Sequence, residues 1–156
     1  MAYSSPVETG AEYESRDKGE SSMSTRTFAM IFGIVFLAVG VAGFVPALVE
    51  PLHAGHPPVD PEGGQLLGLF PINAVHNAVH ILFGLWGLLA SRSATGAVTY
   101  ARGVAIIYAV LTVAGFVPDP PLWTLFGYAP LYGNDIWLHA GLALVAAYFG
   151  WVHRRS

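Results

Sequence analysis

Two pairs of side chains able to bind a metal ion stand at the front of apolar runs, each pair four residues apart: His76 and His80 in NAVHNAVHILFG, and Asp135 and His139 in GNDIWLHAG. Residues at that spacing share one face of a helix. Aligning Val79-His80 with Leu138-His139 sets His76 opposite Asp135, so three imidazoles and a carboxylate would meet if the two faces converged. Zn²⁺ accepts such a set, taking four nitrogen and oxygen ligands in a tetrahedron at ~2.0–2.2 Å. Manganese, iron and copper are also acceptable, because ligand type alone does not choose among them. Asn73, Asn77 and Asn134 lie near enough in sequence to fix a histidine tautomer by hydrogen bonding. Asn73 and Asn134 are equally placed to cap their helices. His53 and His56, in LHAGHPP, are accessory-ligand candidates in the loop before the first pair.

Other chemistries compete for the same residues. His76 and Asp135 would form a hydrogen-bonded clip between helices if no metal binds, with His80 and His139 satisfied by carbonyls or water. Axial ligation of a haem needs two histidines on facing helices and a flat cavity between them. A hydrolytic metal enzyme needs an open coordination position and a general base. Glu50, Asp60, Glu62 and Asp119 border the loops, and no spacing selects one of them. The sequence has no G-x-S-x-G, no HExxH and no phosphate-cradling glycine loop. It has no cysteine, so any metal is held by nitrogen and oxygen.

The elements that must carry these residues are apolar. Only 11% of the 156 residues are charged and 54% are hydrophobic, against roughly 25% charged in a soluble domain. Apolar residues gather in four blocks, with spans expected at about 28–49, 72–90, 98–117 and 135–152. Each approaches the length that crosses a hydrocarbon core of ~30 Å as a helix. A soluble four-helix bundle would need a polar stripe at helical period along each block, and none has one. Residues 1–26, rich in Ser, Glu and Gly, are expected to be a disordered cytoplasmic tail, and the membrane domain to cover 27–153.

Val41-Ala-Gly-Phe-Val-Pro46 recurs letter for letter as Val113-Ala-Gly-Phe-Val-Pro118. Each copy ends an odd-numbered span and is followed by a Pro- and Gly-rich loop, then by a span that opens with a histidine-bearing turn. The expected fold is therefore all-α: a four-helix transmembrane bundle of two tandem hairpins related as a parallel repeat. The basic residues lie before the first span, between the second and third, and after the fourth, while 46–71 and 118–134 have none. Both termini are thus expected to be cytoplasmic, in the cytoplasmic (inner) membrane, with both long loops outside. Trp123, Tyr128, Tyr132 and Trp137 are expected at the outer boundary, and Tyr100, Tyr148 and Trp151 at the inner one. Ala29 with Gly33 and Ala146 with Gly150 offer small-residue helix contacts.

The Asn-x-x-His-Asn-x-x-His-x-x-x-Gly pattern at Asn73 to Gly84 and the Gly-Asn-Asp-x-x-Leu-His stretch at Gly133 to His139 resemble the DUF4383 family of bacterial membrane proteins. The resemblance covers roughly Thr27 to Trp151 and implies four spans. It brings no activity, substrate or cofactor. The residues themselves favour a non-enzymatic accessory or sensory protein whose cluster either binds a divalent metal such as zinc or links helices. A metal-dependent membrane enzyme and a b-type haem electron-transfer protein are the alternatives. The partners implied are the lipid bilayer and either another membrane protein or a second copy of the chain. A net charge of −3 without a basic cluster gives no support to nucleic acid.

Overall fold

The computed structural model describes residues 23–52 and 63–153. The tail before Met23, the loop residues His53, His56, Asp60 and Glu62, and Arg154 and Arg155 lie outside the described residues. Helix α1 (Thr25–Ala42) begins at Ser24, whose hydroxyl accepts the Thr27 amide at 3.1 Å and caps the first turn. It ends at Ala42, short of the expected Val49. The residue before a proline is driven from helical geometry, and Val45, ahead of Pro46, is extended at φ −94°, ψ 108°. Residues Pro46–Leu48 make a 3-10 turn.

The first long connection was expected as a loop and is partly a sheet. Strands β1 (Val49–Pro51), β2 (Gly64–Leu66) and β3 (Phe70–Ile72) pair antiparallel in the order β1-β2-β3, with Gln65 opposite both Glu50 and Pro71. Strands of three residues are too short to display the alternation by which a strand is recognised. Helix α2 (Ala74–Ala90) follows, capped by Asn73, and α3 (Ala94–Phe116) follows a tight turn, capped by Ser93. The second connection holds a single helical turn, Pro120–Trp123, and a 3-10 turn, Leu125–Gly127. Helix α4 (Asn134–Ala147) continues into a wider π-type turn, Tyr148–Val152. Arg102 of α3 donates to the Gly150 carbonyl at 2.8 Å in that turn, and its guanidinium lies 5.5 Å over the Trp151 ring.

The described chain is mostly helical, as expected, and α1 packs chiefly on α2 and α3 chiefly on α4. Glycine makes the first pairing close. A β-carbon at Gly33 would lie 2.8 Å from the Leu88 nitrogen, and one at Gly84 would lie 2.7 Å from the Leu37 nitrogen, so backbone meets backbone. A β-carbon at Gly43, in the first VAGFVP copy, would overlap the Asn77 amide; at Gly115, in the second copy, it would meet Leu131 and Ile136. Asn77 and Ile136 occupy matching positions when His80 is aligned with His139, so the repeat is also a repeat of packing.

Three helices, Thr25–Ala42, Ala94–Phe116 and Asn134–Val152, are long and apolar enough to cross a membrane, and on that basis the chain reads as a membrane protein. Helix α2, at 17 residues, is shorter, about 25 Å at 1.5 Å per residue. Its outer face is nonetheless apolar, with Leu82, Leu85 and Leu89 exposed, as are Ile106, Val110 and Val113 on α3 and Leu144 on α4. Between the helices runs a column of aromatic rings. Phe28 stacks on Phe149 at 4.5 Å, Phe28 meets Tyr100 at 6.4 Å, and further along Phe36 meets Tyr108 at 5.6 Å.

Two residues expected in the interfacial belts belong to the interior instead. Tyr100 is fully buried, seated where Gly87 leaves room for its ring and edge-on to Trp86 at 5.0 Å. Tyr132, in the connection before α4, is also buried, and that burial raises its phenol above the ordinary range, so it stays neutral. Tyr128, Trp137, Tyr148 and Trp151 are at least half exposed, as belt residues would be.

Candidate metal centre

Helices α2 and α4 bring their first turns together at the same end of the bundle, and the polar faces converge there. His76 and His80 project from α2, Asp135 and His139 from α4, and all four side chains are buried. His76, Asp135 and His139 each offer a ligand atom such that all three atoms lie within 4.8 Å of one another. Within α4, the His139 Nε2 is 3.4 Å from the Asp135 Oδ2. That is longer than a hydrogen bond normally is. Within α2, the His76 Nε2 and His80 Nε2 are 3.1 Å apart, so one nitrogen carries the proton and the other accepts it. His80 is thereby the partner that orients His76.

Among the described residues, three polar atoms of this group find no hydrogen-bond partner: His76 Nδ1, His139 Nδ1 and Asp135 Oδ2. A buried polar group left unpaired costs on the order of 1–3 kcal/mol, and a carboxylate costs more. Three such atoms on three neighbouring buried side chains are therefore expensive unless something joins them. No hydrogen bond joins His76 to Asp135 to make a clip: His76 turns to His80, and Asp135 Oδ2 stands 3.4 Å from His139 Nε2.

The asparagines act on backbone. Asn73 Oδ1 accepts the His76 amide at 2.8 Å, capping α2 and fixing the turn that carries His76, while its Nδ2 donates to the Tyr128 carbonyl at 2.9 Å in the other half. Asn134 does not cap α4. The cap residue is Gly133 at φ 67°, and Asn134 Nδ2 donates to the Leu69 carbonyl at 3.2 Å, in the turn between β2 and β3. Each half thus reaches across to the other half's connection. Asn77, buried, lies against Gly43.

Residues with no mark in the sequence complete the surroundings. Tyr108 of α3 stands edge-on to His139 at 4.9 Å, and Phe36 of α1 edge-on to His80 at 5.4 Å, so the aromatic column ends on the imidazoles. Both are aromatic residues within apolar helices, and no spacing distinguishes them from ordinary core. Beside His76, His80 and His139 is a cavity of about 60 Å³, walled by Val75, Val79, Leu111 and Tyr108 and covered by Leu125, Ala129 and Leu131 of the second connection. It has the volume of about two water molecules. Pockets that hold cofactor-sized ligands run from roughly 300 Å³, so haem finds no room here. Glu50 and Asp119, the described candidates for a general base, are exposed and do not line the cavity.

The donor set suits a divalent ion of the zinc type: two imidazoles and one carboxylate, with a third imidazole adjacent. Ligand atoms in a tetrahedral zinc shell are roughly 3.3 Å apart, so the 4.8 Å limit leaves about 1.5 Å to close on binding. No curated protein and no solved structure matches the chain. A family model described as a domain of unknown function, DUF4383, matches residues 26–152, from the first turn of α1 to the end of the π-type turn, and the chain belongs to that family.

Proposed function

We propose that this is a four-span protein of the cytoplasmic membrane, with both termini cytoplasmic, that binds a divalent metal ion through His76, Asp135 and His139 at the extracytoplasmic end of the bundle. It acts there as a non-enzymatic accessory or sensory protein. The observation that carries the metal is the set of buried, unpartnered atoms, His76 Nδ1, His139 Nδ1 and Asp135 Oδ2, on residues whose ligand atoms gather within 4.8 Å. One ion would join a group from α2 to two from α4. Its binding free energy would then become association energy between the two hairpins. His80 orients His76 from within α2. Support for the fourth span is the exposed leucine face of α2, which calls for lipid as strongly as the faces of the longer helices do.

The test is a cobalt(II) titration of the full chain in detergent, followed by its visible absorption and by melting temperature. Wild type should saturate at one ion per chain and melt higher when loaded. His76→Ala, Asp135→Asn and His139→Ala should each lose the tight phase. Cobalt binding that survives all three substitutions would place the metal elsewhere. Wild type that binds no cobalt, zinc, manganese or iron would leave the histidines a helix-packing role only.

A further inference from the structure

At the opposite end of the bundle, the start of α1 and the turn between α2 and α3 enclose an open cleft of about 390 Å³ lined by Ser24, Arg26, Thr27, Met30, Ser91 and Arg92. Arg26 Nε donates to the Ser91 carbonyl at 2.9 Å, which anchors that guanidinium over the cleft, and among the described residues its other N–H groups have no partner. Among the described residues neither arginine meets a carboxylate. The described acids Glu50, Asp119 and Asp135 belong to the connections and helix start at the far end. The hydroxyls of Ser24 and Thr27 bond each other at 3.0 Å and add polar lining. From the cleft the surface turns apolar at once: Met30 is 44% exposed and Ile34, one turn further on the same face of α1, is 53% exposed.

We infer that this cleft binds the phosphate of an anionic phospholipid headgroup between Arg26 and Arg92, with an acyl chain lying along Met30 and Ile34. The chemistry recognised is a phosphate ester. Guanidinium matches its oxygens in fork geometry, and basic clefts at the ends of membrane helices are suited to such headgroups. The lipid is favoured over a soluble phosphate because the polar lining runs without a break into an exposed apolar helix face that only a chain-bearing ligand would cover. The acidic residues of the N-terminal segment, Glu8, Glu12, Glu14, Asp17 and Glu20, are the rival occupant within the chain itself.

The full-length protein in detergent, offered phosphatidylglycerol and phosphatidylcholine in equal amounts, should retain one phosphatidylglycerol per chain in native mass spectrometry. Arg26→Gln and Arg92→Gln should each lower that retention roughly fivefold, and the pair about 25-fold, at ~1 kcal/mol for each charge. Equal retention of the two lipids, or a preference unchanged in the double variant, would overturn the site. Displacement of the lipid by glycerol 3-phosphate at matching concentration would assign the cleft to soluble phosphate esters. A preference that appears only after residues 1–22 are removed would assign it to the acidic segment. Should the double variant fail to fold, the wild-type melting temperature decides: phosphatidylglycerol must raise it more than phosphatidylcholine, by a margin that shrinks with salt.

Discussion

The two hairpins end their first helices in the same six residues and close on their second helices by different means. In the α1–α2 hairpin, Gly33, Gly40, Gly84 and Gly87 bring two backbones into contact. The α3–α4 hairpin relies on side chains, with Tyr108 against His139, buried Ala143 and Ala146, and Gly150 against Arg102. Gly141 of α4 has nothing within 4 Å of where its β-carbon would be. The connections differ too, a three-stranded sheet before α2 and short helical turns before α4. Both halves keep a histidine at the matching position, while His76 in one is answered by Asp135 in the other. Divergence at that one position converts what would be four imidazoles into a mixed nitrogen and oxygen set, the kind zinc accepts.

The two hairpins should differ most at the α1–α2 seam. Gly84→Ala should destabilise the protein by about 3 kcal/mol, since the added carbon meets the α1 backbone, which cannot yield as a side chain would. Thermal unfolding in detergent measures it, and a loss no larger than that of a surface substitution would remove the rigid-seam argument. Next is the contrast between the two histidines of α2. His76→Ala should abolish tight metal binding, whereas His80→Ala, removing only the orienting hydrogen bond, should weaken it about 10–100-fold. Equal effects in cobalt titrations would make His80 a direct ligand.

A third contrast lies in the asparagines that cross between halves. Asn73→Ala loses both the cap on His76 and the bond to Tyr128, for a cost of about 1.5 kcal/mol. Asn134→Ala gives up one long, exposed bond to Leu69 and should cost about 0.5 kcal/mol. Melting curves of the two variants give the order, and a reversal would move the inter-half tie to Asn134. Smallest is Gly141→Ala, which meets open space and should raise stability by about 0.4 kcal/mol, the low end for such a change at a helical site; a loss would mean that α4 is closely packed there as well.

Much of this fold is legible in the letters because lipid demands long apolar runs and the duplicated VAGFVP marks where helices stop. The convergence of His76, Asp135 and His139 could be read because a spacing of four fixes a face, and a repeat sets the two faces toward each other. The hydrogen bond between His76 and His80 could not be read, since it depends on side-chain torsions that the same spacing leaves open. The sheet leaves no mark in the sequence, because its strands are only three residues long. Tyr100 looked interfacial by its position near a helix start, yet the absence of a side chain at Gly87, on another helix, is what draws its ring inward. Asn134 resembled a cap by residue type, while the positive φ of Gly133 takes that place and frees the amide for Leu69.

Elemental analysis of the full chain, purified without a histidine tag, decides whether one ion sits among His76, Asp135 and His139. A bound ion gives close to one equivalent of zinc, or of another divalent metal, per chain in wild type and almost none in the His76→Ala, His139→Ala double variant purified alongside. Metal well below one equivalent in wild type grown with ample supply, or metal retained in the double variant, would contradict it.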